Sequence, residues 1–125
     1  MDVRLLFPSL YLGAADLRGE DRTLTIRRVV VEELRLKDGG ADKKPVIYFE
    51  ETKAAADKAR TPDKEKRLVL NKTNAMTIAG IYGYEVDGWQ GKKVTLFSTN
   101  VTAFGKTTEA IRIRPSAPAA QKESA

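Results

Sequence analysis

The side chains of this chain that could do chemistry are aromatic and basic, and they come closest together at residues 104–106. A single glycine separates Phe104 from Lys106. An aromatic ring can stack on a nucleic-acid base, and a lysine can neutralise a backbone phosphate. This pattern favours a loop that holds single-stranded nucleic acid. The alternative for Phe104 is a ring that folds back on its own domain.

Further aromatic and basic residues could extend such a surface. The glycine-containing turn at residues 37–43 brings lysines next to the second predicted strand. An outward-facing Tyr48 or Phe49 on that strand would provide a stacking platform. Arg112 and Arg114 alternate with isoleucines in the last predicted strand, where a solvated strand face is the alternative. The predicted nucleic-acid-binding residues are Lys43, Lys44, Tyr48, Arg67, Phe104, Lys106, Arg112 and Arg114.

Residue types suited to catalysis are missing from the sequence. The 125 residues include no cysteine and no histidine, which excludes disulfides, zinc–thiolate sites, cysteine nucleophiles and Ser-His-Asp triads. The acidic pairs at residues 32–33 and 50–51 lie in predicted strands, where adjacent side chains point to opposite faces and cannot converge on one substrate atom. The sequence also has no glycine-rich phosphate-binding loop. We therefore predict no enzymatic activity, no metal site and no cofactor.

Length and charge indicate one small basic domain. The chain has a mass of 13.8 kDa and a formal net charge of +5, from 22 lysines and arginines against 17 acidic residues. Residues 52–67 and 92–115 carry the basic excess, so an anionic partner is expected there. We predict a single domain over residues 1–115 and a disordered tail over residues 116–125, which show no hydrophobic periodicity. The apolar N-terminus is too short to span a membrane, and we predict a cytoplasmic protein.

The alternation of polar and apolar residues predicts five strands, and helical spacing predicts one helix. The first strand, at residues 23–36, is long, and its alternation slips at Arg27 and Arg28, which predicts a bulge and a bend. Apolar residues at helical spacing predict a helix at residues 73–82. Residues 52–66 are charged and contain a proline, which predicts either a short helix or a mobile loop, and we favour a charged loop with helical tendency. The other strands are predicted at residues 45–50, 67–71, 92–98 and 109–114.

The order of these elements is three strands, a helix and two strands, which is the order of an OB-fold, a five-stranded Greek-key barrel. A long bent first strand suits such a barrel because it can serve both of its sheets. A split α+β sheet with the helix across one face is the alternative, and it would need no bend in the first strand. Trp89 lies between the helix and the fourth strand, and we predict that it packs in the core, with a stacking platform for a base as the alternative. The predicted fold is therefore mainly β, an OB-fold-like five-stranded barrel with one helix between strands three and four.

Three segments of the sequence carry a family resemblance. They are residues 70–75 (LNKTNA) at the start of the helix, residues 88–92 (GWQGK) before the fourth strand, and residues 110–115 (AIRIRP) at the end of the last strand. Over residues 8–115 the chain resembles small OB-fold-like proteins encoded by bacteriophages and prophages, often in replication or recombination gene clusters. That family has no assigned activity, so the resemblance implies a phage or prophage origin and no particular chemistry.

Two functions are compatible with these observations. The first is a module that binds single-stranded DNA or RNA through stacking and a basic groove. The second is a protein-interaction module that docks a phage or host protein through an edge strand or through the same loops. A net charge of +5 suits either function.

Overall fold

The computed structural model describes residues 10–35, 39–60 and 65–118 of the chain. In these residues, five antiparallel strands form one sheet, accompanied by two α-helices. Two short 3-10 helices, Ala14–Leu17 and Val86–Trp89, lie in the connections. The prediction of a mainly β fold is confirmed. The strands and helices, in chain order, are β1 (Arg22–Arg35), β2 (Ala41–Phe49), α1 (Glu50–Ala59), β3 (Leu68–Val69), α2 (Lys72–Tyr82), β4 (Lys93–Ala103) and β5 (Lys106–Ile113).

Strand β1 lies at the centre of the sheet, whose order is β3-β2-β1-β4-β5. Its first residues pair with β4 and the rest pair with β2. The pairing with β2 shifts between Ile26 and Arg28, so Arg27 has no residue opposite it. This is the bulge that the slip in alternation predicts, and it is confirmed. Because of the bulge, Ile26 faces the core, whereas Arg28 faces the opposite side of the sheet.

The core lies on the inner face of the sheet, where buried side chains of β1 to β5 meet helix α2. Ile78 of α2 is completely buried in it. Trp89 is also buried, and its indole nitrogen donates a hydrogen bond to the carbonyl of Gly83 at 2.9 Å, which confirms its predicted packing role. The strand residues of this core are Leu24, Ile26, Ile47, Phe49, Leu68, Val94, Leu96, Ile111 and Ile113.

Helix α2 is the predicted helix, and it begins one residue before its predicted start. Asn71 caps it, because its side-chain oxygen accepts a hydrogen bond from the backbone nitrogen of Asn74 at 2.8 Å. The helix ends at Gly83, whose φ of 94° is a conformation that glycine adopts without strain. The prediction of one amphipathic helix between the third and fourth strands is therefore confirmed.

Helix α1 shows that the favoured prediction for residues 52–66, a charged loop, is wrong over residues 52–59, where the alternative of a short helix is confirmed. The structure has a helix at Glu50–Ala59, directly after β2, so the expected order with a single helix is wrong. Glu51 fixes the first turn: its carboxylate accepts hydrogen bonds from the backbone nitrogen and the hydroxyl of Thr25, at 2.6 and 2.7 Å. The helix buries only two of its side chains, which is why it lacks an apolar stripe in the sequence.

The sheet is open between β3 and β5. No backbone pairing joins these two strands within the described part of the chain. Beside β3 lie residues 10–12, where Tyr11 forms a parallel bridge with Arg67. The side-chain amide of Asn74 donates a hydrogen bond to the carbonyl of Ile111 on β5 at 3.0 Å. The strand pairing thus establishes a five-stranded sheet and not a closed barrel.

Several predictions concern residues beyond those described. The predicted tail at residues 116–125 falls outside them from residue 119 onward, and so do residues 61–64 of the charged stretch and residues 1–9 of the predicted domain. No helix among the described residues is long and apolar enough to cross a membrane.

Candidate nucleic-acid interface

Four side chains gather on the outer face of β1, β2 and β3, and we call them the arginine–tyrosine cluster: Arg27, Arg28, Tyr48 and Arg67. The bulge in β1 turns Arg28 to this face, opposite Tyr48 of β2. Arg67 directly precedes β3. Continuing the register of β3 with β2 by one residue places Arg67 beside Tyr48. Three segments that are distant in the sequence therefore supply one surface.

The ring of Tyr48 is covered by guanidinium groups. The central carbons of Arg28, Arg67 and Arg27 lie 4.6, 4.7 and 5.5 Å from the ring centroid, which are distances of cation–π contacts. Only 7% of Tyr48 is exposed, and Phe49, the alternative platform residue, is fully buried in the core. The predicted aromatic platform is therefore not open to a base. Three guanidinium groups form the surface, and the Tyr48 ring lies beneath them.

Two carboxylates contact members of the cluster, although the buried Nε atoms of Arg27 and Arg67 have no hydrogen-bond partner among the described residues. Glu65 forms an ion pair with Arg27. The Tyr48 hydroxyl donates a hydrogen bond to Glu32 and accepts one from Arg67 at 2.9 Å. Burial, followed by the hydrogen bond to Glu32, raises the pKa of the Tyr48 hydroxyl against the opposing effect of Arg67. The hydroxyl is therefore protonated at neutral pH and acts as a donor to the carboxylate.

Arg28 is the exposed arginine of the cluster, whereas Arg27 and Arg67 are half-buried. Within the described residues Arg28 forms no ion pair with a carboxylate. Three arginines against two glutamates leave the cluster with a net charge of +1. An anion can approach Arg28 without displacing a resident carboxylate.

The predicted lysines at the start of β2 divide between the two faces of the strand. Because side chains alternate, Lys44 shares the face of Tyr48 and Lys43 points to the other side. Lys44 lies four residues, or roughly 13 Å, from Tyr48 along the strand, and its Nζ is 3.7 Å from a carboxylate oxygen of Asp42. Lys43 is opposite Glu33 in the register. Only Lys44 extends the surface of the arginine–tyrosine cluster.

The hairpin between β4 and β5 presents Phe104 at its tip. Ala103 pairs with Lys106, so the turn consists of two residues, Phe104 and Gly105. The side chain of Phe104 is completely exposed, which excludes the alternative of a ring folded back on the domain. Lys106 is also exposed and forms no ion pair within the described residues. The tip offers an aromatic ring and a positive charge to a partner.

Arg112 and Arg114, at the end of β5, have structural partners. The guanidinium carbon of Arg114 lies 3.8 Å from the ring centroid of Phe97, and its Nε and Nη2 each donate a hydrogen bond to Asp21 at 3.0 Å. The hydrogen bond from Arg114 lowers the pKa of Asp21. Arg112 is half-buried and donates a hydrogen bond to the carbonyl of Ile111 at 3.2 Å. These contacts support the alternative, that both arginines belong to a solvated strand face, better than a role in binding nucleic acid.

The predicted site residues thus fall into separate groups. Tyr48 and Arg67 come together in the arginine–tyrosine cluster, Phe104 and Lys106 at the hairpin tip, and the last two arginines beside Phe97. No hydrogen bond, ion pair or ring contact recorded for the described residues joins one group to another.

Two members of the cluster, Arg27 and Arg28, were missed as site residues by reasoning from the sequence. The slip in alternation at these positions was the available signal. It predicts a bulge, and a bulge can re-aim a side chain toward a site. The signal is therefore present in the sequence, although the pairing with Tyr48 appears only in the register of the strands.

The described residues contain no group of His, Cys, Asp or Glu side chains that could hold a metal ion. Comparison of the chain with known protein families, curated proteins and solved structures finds no match. Function is therefore inferred from the geometry and charge of the surface.

Proposed function

We propose that the protein binds single-stranded nucleic acid on the outer face of β1, β2 and β3. The observation that carries this proposal is the gathering of three guanidinium groups on the ring of Tyr48, with Arg28 exposed. Guanidinium groups bind phosphates through paired hydrogen bonds, and their planes stack on unpaired bases. One surface can thus hold both the phosphate and the base of a nucleotide.

The topology supports the choice of this face. We propose that the sheet is an OB-fold barrel opened between β3 and β5, since the strand order and the position of α2 between β3 and β4 agree with that fold. OB-folds bind oligonucleotides on the face of strands two and three, beside the loops that join strands one to two and four to five. Tyr48 of β2 and Arg67, which directly precedes β3, lie at the corresponding strands here, and Arg27 and Arg28 of β1 lie beside them.

The exposed ring of Phe104 supports single strands rather than duplexes as the ligand. Stacking on an aromatic side chain requires a base face, and the base faces are hidden in a duplex. Lys106 lies two residues beyond Phe104 and can contact a neighbouring phosphate. A surface built on stacking and phosphate contacts has little sequence preference.

Binding of a labelled oligo-dT strand, followed by anisotropy over a series of salt concentrations, tests the proposal. We expect log affinity to fall linearly with log salt concentration, and we expect a duplex of equal length to bind more weakly. An oligo-U strand in parallel compares RNA with DNA. Absence of binding to both single strands at low salt would overturn the proposal, and the docking of a phage or host protein would then be the function to test.

Two variants locate the binding surface. Arg28→Gln should weaken binding and lower the salt slope by about 0.7, because one phosphate contact is lost. Lys58→Gln, which removes a charge from the exposed side of α1, is the control and should leave the slope unchanged. Phe104→Ala should weaken binding by roughly 5- to 150-fold at fixed salt with little change of slope. Its control is Tyr84→Ala, which removes another exposed aromatic ring.

A further inference from the structure

One phosphate-binding position of the arginine–tyrosine cluster is already occupied by a carboxylate of the chain itself. Glu65 forms an ion pair with the Nη2 atom of Arg27. A carboxylate and a phosphate offer a guanidinium the same arrangement of two acceptor oxygens. Glu65 therefore stands where a backbone phosphate would bind Arg27.

We propose that Glu65 is an internal competitor, which a nucleic-acid phosphate displaces from Arg27 when a strand binds. This inference rests on the proposed function and adds to it the regulation of the same surface. In the unbound protein Glu65 neutralises Arg27, so Arg28 is the first arginine that a strand meets. Contact with Arg27 follows only after the carboxylate has left.

The surroundings of the ion pair permit this exchange. The side chains of Arg27 and Glu65 are 25% and 21% exposed, so both reach solvent. The Glu65 carboxylate can rehydrate when an incoming phosphate takes its place at Arg27, so neither charge is left buried and unpaired. Among the described residues Arg27 has no second carboxylate partner.

Glu32, the other carboxylate of the cluster, has a different role. It accepts its hydrogen bond from the Tyr48 hydroxyl and not from a guanidinium. Removal of Glu32 would free no arginine, but it would deprive the buried tyrosine hydroxyl of its acceptor. Glu65, and not Glu32, is therefore the carboxylate that competes with a phosphate.

The test is the affinity of Glu65→Gln for labelled oligo-dT over a salt series. In Glu65→Gln a strand no longer has to break the ion pair before it reaches Arg27, so binding should strengthen roughly fivefold at about 0.1 M salt. The number of phosphates bound is the same as in the wild type, so the salt slope should stay nearly unchanged. Glu85→Gln is the matched control, since it makes the same change of net charge at an exposed position outside the cluster. We expect less than about a twofold change and an unaltered slope for this control.

A double variant separates a local effect from a general gain of positive charge. If Glu65 competes at Arg27, the gain from Glu65→Gln disappears when Arg27→Gln is also present. Circular dichroism melts verify that each variant is folded, and Glu65→Ala replaces Glu65→Gln should the latter fail to fold.

The outcomes distinguish this inference from the proposed function. An equal gain from Glu65→Gln and Glu85→Gln, no gain from Glu65→Gln, or a gain that persists without Arg27 would overturn the competitor role while wild-type binding still supported the function. If neither the wild type nor Glu65→Gln binds oligo-dT at low salt, the competitor role and the proposed function are both overturned.

Discussion

Phe104 has a backbone conformation that bulky residues seldom adopt. Its φ is 54° and that of Gly105 is 76°, so both residues of the two-residue turn have positive φ values. Hairpin turns of this kind prefer asparagine followed by glycine, because the left-handed region costs a bulky side chain roughly 1–2 kcal/mol. The ring of Phe104 is fully exposed, so no packing offsets this cost. Strain kept at an exposed position is consistent with a binding contact.

Replacement of this residue should change stability and binding in opposite directions. We expect Phe104→Asn to raise the free energy of unfolding by about 1 kcal/mol, because asparagine tolerates positive φ. The same variant should bind oligo-dT more weakly, because the stacking ring is lost. Urea unfolding and anisotropy measure the two effects. A loss of stability in Phe104→Asn would show that the ring packs against the protein.

Glu51 links helix α1 to the sheet through polar contacts. The Thr25 hydroxyl donates to Glu51 and accepts a hydrogen bond from Lys93 at 2.7 Å, and the Lys93 ammonium lies 3.9 Å from the carboxylate. Partial burial raises the pKa of Glu51, but the hydrogen bonds from Thr25 and the charge of Lys93 outweigh this effect and hold the pKa below its ordinary value of 4.5. The ionised form of Glu51 thus favours the folded protein.

Stability should therefore fall in acid. A carboxyl whose pKa is lowered by folding contributes stability above its unfolded pKa, and the contribution is lost as the pH falls through the folded pKa. For Glu51 the loss begins near pH 4.5 and continues below it. Thermal melts should give a Tm that declines from about pH 6 to about pH 3, with a lower plateau and a shallower decline in Glu51→Gln.

Part of the decline should remain in that variant because of a second carboxyl. The pKa of Asp16 is also lowered, since a hydrogen bond from Gly13 and the ammonium of Lys66 together exceed the opposing effect of burial. A decline in Glu51→Gln as steep as that of the wild type would contradict the role given to Glu51.

Among the secondary-structure elements, those predicted from the sequence are the ones whose apolar residues recur at the spacing of a strand or of a helix. Strands β1, β4 and β5 and helix α2 bury such residues on a single face, β2 buries them on both faces, and the slip at Arg27 and Arg28 predicted the bulge. Helix α1 was only the less favoured alternative to a loop, because polar contacts position it. Its first turn is held by Glu51, and the buried faces of Thr52 and Ala56 are too small to produce a hydrophobic pattern.

The residue that caps the start of α2 can be tested by mutation. Asparagine and threonine both cap helices, and the structure assigns the capping hydrogen bond to Asn71 and not to Thr73. Asn71→Ala should lower the free energy of unfolding by about 1 kcal/mol, measured in urea. Thr73→Ala, the matched control, should leave it unchanged or slightly higher, because alanine favours helix. Equal losses in the two variants would contradict this assignment.

The candidate site was predictable only in part. Tyr48 and Arg67 lie on neighbouring strands, and outward positions for both could be considered from alternation alone. The inclusion of Arg27 and Arg28 depends on which residue leaves the strand pairing at the bulge. The register between β1 and β2 determines which residue this is. The alternation of residues within one strand carries no information about that register.

At the scale of the whole molecule, the closure of the sheet could not be deduced from the order of the elements. It depends on contacts between residues that are distant in sequence. Residues 10–12 lie along Arg67 at the β3 side, and the Asn74 side chain reaches the Ile111 carbonyl at the β5 side. Each edge therefore has a contact with another segment of the chain, where a closed barrel would pair the two strands directly. Such hydrogen bonds leave no periodic trace in the sequence.

The burial of Trp89 gives this protein an optical property. It is the chain's only tryptophan, it is 3% exposed, and its indole nitrogen is bonded to the Gly83 carbonyl inside the core. The emission of the folded protein therefore comes from one indole in an apolar environment, and unfolding should move that emission to longer wavelengths. The arginine–tyrosine cluster lies on the other face of the sheet, so an oligonucleotide bound there does not stack on this indole. The same sample can then report folding by its own emission and binding by the label on the strand.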